Sequence, residues 1–279
     1  MPELPEIQAL AERLEAHLAG AVIERVDALS FSGLKSVAPT TQAILGCRID
    51  GVSRRGKYLV IAISGGIRML IHLAQAGRLD IETPAKATRP RGAMLRILLR
   101  DGSAIFVREH GHERNARWWL LAPEDDGPLA VLGPDVDDGA FAATLLDADD
   151  NRRIHTILRD QRFAAGVGRG YADDVLHLAR ISPFASLRSL DRTVRQRLID
   201  AIEATLAGAL EAERTRGGGL SAARLGDRFS VHNRSGSPCP TCGDTLLRVS
   251  YSSHEVVYCK TCQTGGRVYA DRRLSRLLR

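Results

Sequence analysis

Apolar residues at Ile7, Leu10, Leu14 and Leu18 recur at helical spacing and Gly20 ends the run, so the chain is expected to open with a helix over 5–18. The period then changes. Short alternating or apolar runs follow at 22–29, 47–53, 58–63, 68–74, 93–99, 104–108 and 118–122, with Asp101-Gly102 as a hairpin turn between two of them. Strands this short and this closely spaced predict an antiparallel sandwich or barrel. Cys47, in the second run, reads as inert core. Past residue 130 the acidic stretch Asp135–Asp138 leads into helical periodicity over 139–213. Within it Asp191 stands as an N-cap before Val194, Leu198, Ile202 and Leu206. Gly217, Gly218 and Gly219 break the pattern, and a separate cysteine-bearing module begins at Gly236.

Composition narrows the class. Apolar residues make up 44% of the chain, but no 18 of them run uninterrupted, which excludes a transmembrane helix. The opening residues carry acids and no basic apolar leader, so a cytoplasmic protein without a secretory signal is expected. The net charge of +6 is unevenly spread: residues 1–150 hold 17 basic against 21 acidic side chains, and residues 151–279 hold 22 against 12. A basic C-terminal half suits a polyanionic partner. The basic residues are 35 arginines and four lysines (Lys35, Lys57, Lys86, Lys260). Arginine's planar fork matches phosphate, and each lysine in such a chain is worth separate scrutiny.

Cys239-x-x-Cys242 and Cys259-x-x-Cys262 are separated by 16 residues. Two tight turns joined by a hairpin can aim four thiolates at one point, the ligand set of a single structural zinc. Such a closed site has no open position for water, so the metal is expected to do no catalysis. Two redox-active pairs would explain the spacing as well, but nothing nearby resembles a thioredoxin unit. The hairpin, over 247–258, carries Arg248, Ser250, Ser252, Ser253 and His254 at or near its tip, the chemistry of phosphate and base-edge contact.

The chain begins Met1-Pro2-Glu3-Leu4-Pro5-Glu6. A small residue after the initiator permits its removal, which would leave Pro2 as a secondary amine with a pKa of about 8. Such an amine is substantially unprotonated at neutral pH and can attack a sugar carbon to give an iminium. Glu3 and Glu6 would move protons to the ring oxygen and the leaving base.

These features together resemble the formamidopyrimidine-DNA glycosylase / endonuclease VIII family. The opening six residues look like its first motif, and Arg54-Arg-Gly-Lys-Tyr58 looks like its lysine-bearing hairpin. Asp160-Gln161, Gly166-Val-Gly168 and Tyr171-Ala-Asp173 are similar to the start of its helix–two-turn–helix element, and the cysteine spacing agrees with its zinc finger. The resemblance implies an α+β protein in three parts. An N-terminal helix with an antiparallel β-sandwich would span 1–130 and hold the catalytic residues. A helix–two-turn–helix domain would span 131–235, and a zinc ribbon 236–279, with DNA in the cleft. It further implies a monomer that flips a damaged nucleotide out of the stack. Pro2 would attack the anomeric carbon, Glu3 and Glu6 would assist, Lys57 would lie near phosphate or sugar, and β,δ-elimination would cut the strand.

The departures concern recognition. Arg169 stands where the family has an asparagine that contacts phosphate, and His254 where it has a finger-tip arginine. Of the residues that fill the space of the flipped base, Arg108 matches, while Gln75 replaces a methionine and His110 an aromatic. The short stretch between Gly219 and Cys239 favours an endonuclease VIII-like pocket, whereas the opening motif is the purine-type variant, so the lesion stays open. Two alternatives also stay open: a specialised enzyme for abasic, single-stranded or crosslinked DNA, and a non-enzymatic binder of damaged DNA.

Overall fold

A computed structural model describes the chain except residues 111–114, 222–227, 253 and 271–279. Two compact units are present, one of residues 1–131 and 210–224, the other of 132–209 and 225–279. Among the described residues no helix is long and apolar enough to cross a membrane.

The first unit opens with helix α1, Leu4–Leu18. Its expected apolar stripe is its buried face: Ile7, Leu10, Leu14 and Leu18 all lie in the core. Eight strands follow: β1 Ile23–Ala28, β2 Ile49–Arg55, β3 Tyr58–Ile63, β4 Ile67–His72, β5 Gly77–Glu82, β6 Ala93–Leu99, β7 Ala104–Glu109 and β8 Arg117–Leu121. They form two four-stranded sheets in the orders β1-β6-β7-β5 and β2-β3-β4-β8, with every neighbour antiparallel. Alternation explains the sandwich. In β3, Leu59, Ile61 and Ile63 point inward and meet Leu79, Leu95, Ile97 and Val107 of the other sheet in one core.

Strand β5 lies outside the expected runs. It is an edge strand with only Leu79 and Ile81 facing inward, and its polar positions are used by neighbours. Asp80 pairs with Arg108 at 3.2 Å, and Glu82 pairs with the fully buried Arg96 at 2.9 Å. Cys47 precedes β2 instead of lying in a strand, and it packs half-buried against the core. The 210–224 segment adds Glu213, whose carboxylate reaches Arg13 and Arg216, and Ser221, whose hydroxyl accepts the Leu79 N–H.

The second unit holds helices α2 Gly139–Asp147, α3 Ile154–Arg159 and α4 Arg169–Leu178, followed by the start of α5, Arg192–Thr215. Asp191 caps α5 as expected, accepting the Val194 N–H at 2.8 Å. The segment between α3 and α4 is irregular, and one side chain organises it: the Gln161 amide donates to the Arg159 and Val167 carbonyls and accepts from Gly166 N–H. Strands β9 Leu246–Ser250 and β10 Glu255–Cys259 pair as the expected hairpin, and the short helix α6 Lys260–Thr264 follows.

Candidate active site and metal centre

Glu3 is the N-cap residue of α1 and Glu6 its third helical residue, and the two form a reciprocal capping box. The Glu6 carboxylate accepts the Glu3 N–H at 2.6 Å. That N–H belongs to the peptide joining Pro2 to Glu3, so the bond holds the plane of that peptide. Pro2 is buried, Glu3 is 3% exposed, and both carboxylates sit at the positive end of the helix dipole.

Lys57 lies in the two-residue turn between Arg55 and Tyr58, which are paired across β2 and β3. Gly56 takes a φ of 56° there, a left-handed conformation that glycine adopts at little cost. The hairpin is docked on α1: Arg54 Nε donates to Gln8 Oε1 at 2.9 Å, and the Glu15 carboxylate accepts the Val52 N–H. Lys57 is itself buried. His72, at the end of β4, packs on Tyr58 with ring centroids 5.0 Å apart, and Tyr58 meets the edge of Trp119. Burial, with the Lys57 and Arg117 charges, pushes His72 down to about 4 and keeps it neutral near pH 7. The sequence reading did not single His72 out; a histidine closing an apolar strand was the signal.

Gln75, Arg108 and His110 come together at one end of the β5–β7 pair. The His110 N–H bonds to the Ala76 carbonyl at 3.1 Å, next to the Gly77–Glu109 pair of the ladder. Gln75 and His110 are exposed, and Ala74 at a φ of 51° turns the chain ahead of Gln75. Arg108 pairs with Asp80 and lies over the Phe106 ring.

In the second unit Arg169 is the first residue of α4, after Gly168. One turn on, the fully buried Asp173 lies between two histidines, with His232 Nδ1 at 2.6 Å and His155 Nε2 at 3.2 Å. The two imidazoles hold its carboxyl below the usual range even though burial opposes them. His155 stacks on His254, His254 stacks on Tyr251, and the Tyr251 hydroxyl accepts from Arg153 at 2.8 Å. Burial pushes His254 down to about 4, helped by Arg159, His155 and Arg169, so it is neutral near pH 7. Asp174 accepts the backbone N–H groups of Ser230, Val231 and His232. None of His155, Asp174 and His232 was legible as a site residue beforehand. At the hairpin, Glu255 engages Arg248 and Ser250 across the strands, so these two serve the hairpin itself, and Ser253 lies outside the described residues.

Cys239, Cys242, Cys259 and Cys262 place their sulfurs within 4.8 Å of one another. Cys239–Cys262 and Cys242–Cys259 are 3.8 and 3.5 Å apart. A tetrahedron with Zn–S of about 2.3 Å has sulfurs about 3.8 Å apart, so the set fits that ion. The first pair sits on a turn closed by the Gly243 N–H to the Cys239 carbonyl. The second begins α6, where Cys259 is the N-cap and its sulfur accepts the Cys262 N–H, instead of forming a second simple turn. Burial and the neighbouring thiols push Cys262 far up. Burial also raises Cys239, but the N–H groups of Cys242 and Thr241 and the His177 ring outweigh it and bring that thiol to about 6. Four sulfurs gathered this closely, with Cys262 held protonated by burial and its neighbours, suit a cation among them.

The profile of the formamidopyrimidine-DNA glycosylase N-terminal domain matches residues 1–110, and that of the family's H2TH domain matches 132–218. The chain belongs to the formamidopyrimidine-DNA glycosylase family. The formamidopyrimidine-DNA glycosylase of Thermus thermophilus is 33% identical over 287 residues, covering 95% of this chain and all of that one. That of Roseiflexus is 32% identical, covering 94% of this chain and all of its own. An uncharacterized formamidopyrimidine-DNA glycosylase-like protein of Mycobacterium tuberculosis is 41% identical over 151 residues, which is 53% of this chain and 95% of that one.

Among solved structures, the MutM (Fpg) protein of Thermus thermophilus superposes with a TM-score of 0.79 at 30% identity, covering 94% of this chain and 98% of that one. A MutM in complex with DNA containing carbocyclic 8-oxo-G gives 0.81 at 25% identity, covering 94% of this chain and all of that one. The expected α+β architecture is therefore that of the family: a helix with an antiparallel sandwich, a helix–two-turn–helix domain and a C-terminal four-cysteine hairpin. The short segment between Gly219 and Cys239, expected to shape the base pocket, includes residues 222–227, which lie outside those described.

Proposed function

We propose that this family member is a bifunctional DNA glycosylase and abasic-site lyase of base excision repair, acting as a monomer on damaged DNA. The observation that carries the reading is the Pro2–Glu3 peptide, buried at the start of α1 with its N–H held by Glu6. A capping box by itself serves any helix start; set beside a buried residue whose nitrogen becomes a secondary amine, it also orders the peptide next to a nucleophile.

With Met1 removed, the Pro2 nitrogen attacks C1′ of a flipped nucleotide and the C1′–N bond to the damaged base breaks. Glu3 delivers a proton to the ring oxygen as the sugar opens to an iminium on Pro2. Loss of a proton from C2′ expels the 3′ phosphate, a second elimination expels the 5′ phosphate, and water frees Pro2. Glu6 acts by holding the Pro2–Glu3 peptide. Lys57, with Arg54 and Arg55 on the same hairpin, supplies charge toward the phosphates around the lesion. Zinc, held by the four cysteines, fixes the hairpin and takes no part in bond changes. Gln75, Arg108 and His110 fill the space left by the flipped base, and Arg169 and His254 meet the backbone. Their polar character favours a second reading within the same chemistry, an enzyme weighted toward abasic or crosslinked sites.

Borohydride trapping on a duplex with a central abasic site tests the mechanism. A covalent adduct is expected with the native protein and none with Pro2→Gly, and intact mass should show Met1 absent. No adduct with the native protein sinks the lyase. A non-enzymatic binder would retain the duplex and trap nothing.

A further inference from the structure

Helix α4 carries Arg169 at its start and His177 in its last turn. The His177 ring is 5% exposed, on a stretch where Val175, Leu176 and Ala179 are also buried. An apolar side chain would satisfy that packing, so burial alone does not account for an imidazole. Its Nε2 lies 3.1 Å from Cys239 Sγ, a contact made across 62 positions of sequence.

We propose that His177 is a positioning residue of the metal centre, donating its Nε2–H to the Cys239 thiolate and thereby fastening α4 to the ribbon through a metal ligand. The inference rests on the reading of the four thiolates as a zinc site. Zinc with four thiolates carries a net charge of about −2. Cys239 is 3% exposed, so water does not share that charge. An N–H···S bond draws charge from the sulfur, orients it toward the metal and makes it a poorer nucleophile. The last turn of a helix favours such a donor, because the dipole there is negative.

A second bond supports the same junction from the other half of the site. Gln263 Nε2 donates to the Ile181 carbonyl, just past α4, at 2.9 Å. Its Oε1 accepts the Cys259 N–H at 2.8 Å. The C-terminal end of α4 is thus hydrogen-bonded to one cysteine of each pair, His177 to the sulfur of the first and the Ile181 carbonyl through Gln263 to the backbone of the second.

The test uses the full chain. Metal analysis of the native protein comes first, and one zinc per chain is expected; no bound metal removes the zinc reading and this inference with it. In protein loaded with cadmium-113, a proton–cadmium correlation should show the His177 Nε2–H coupled to the metal through the sulfur. A cadmium-loaded protein without that cross-peak overturns the inference and leaves the zinc reading intact. Release of zinc to a chromogenic chelator should be about 10-fold or more faster in His177→Phe, with His177→Gln, which keeps a donor, lying between. In cobalt-substituted His177→Phe the thiolate-to-metal charge-transfer band should move to lower energy. A band and a release rate equal to those of the native protein overturn the proposal as well.

Discussion

The starts of α1 and α4 are both helix N-termini that family resemblance directs toward DNA, and they are held in opposite ways. At α1 the box closes within four residues, Glu3 to Glu6. At α4 the surroundings of Asp173, one turn past Arg169, come from distant parts of the second unit: His155 on α3 and His232 from the segment after α5, with His254 and Tyr251 of the hairpin stacked in turn on His155. Arg153 and Tyr251, which end the stacked column, are 98 positions apart. A locally closed device offers few substitutions that keep an attacking nitrogen in place. A site assembled from several elements can exchange an arginine for a histidine at one element and an asparagine for an arginine at another, provided the charge and the stacking are made good between them. On the proposed function, the chemistry rests on a motif and the recognition on a network.

The largest effect that would break this comparison lies at α1. Glu3→Gln should lower base excision by about 10²–10⁴-fold, the range for loss of a positioned general acid, while affinity for an abasic duplex stays near native. Single-turnover excision and a binding isotherm on the same duplex separate the two. An equal loss in both would mean that Glu3 serves binding, and the contrast between a catalytic start at α1 and a recognising start at α4 would fall.

A second, smaller effect concerns His72. Its pKa falls from 6.5 in the unfolded chain to about 4 in the fold, so between these values the unfolded state binds more protons. Stability of the first unit should therefore be full above about pH 6.5 and decline as pH drops toward 4, by about 2–3 kcal/mol near pH 4.5. Both tryptophans, Trp118 and Trp119, lie on β8, so urea unfolding followed by their fluorescence reads this unit. His72→Gln should flatten the decline. Identical pH profiles for the variant and the native protein would show that the buried ring beside Lys57 is not held neutral.

What was legible in the sequence follows the same division. The α1 stripe, the alternation of β3, the Asp191 cap and the cysteine spacing are short-range patterns, and each emerged where expected. Strand β5 was not, because an edge strand buries one face only and spends its charges on Arg96 and Arg108, partners that periodicity cannot name. All four histidines after residue 115 are engaged in the second unit: His155 and His232 on Asp173, His177 on Cys239, and His254 in the stack. Only His254 was readable in advance, through its place in the finger. The others acquire a role only when elements tens of residues apart are folded together.

The finest test asks which element of the proposed DNA contact carries the charge. Burial and the neighbouring cations Arg159, His155 and Arg169 hold His254 neutral near pH 7, so on the proposed function the cationic contribution is expected from the helices. Each phosphate contact by a cation contributes about one to the slope of log affinity against log salt. At pH 7.5, Arg169→Ala should weaken binding to an abasic duplex and lower that slope by about one. His254→Ala should weaken binding less and leave the slope unchanged, since it removes a neutral hydrogen-bond donor and a stacking partner. A slope that drops as much for His254→Ala as for Arg169→Ala would place the charge back on the finger tip, and the histidine would then be a protonated substitute for the family's arginine.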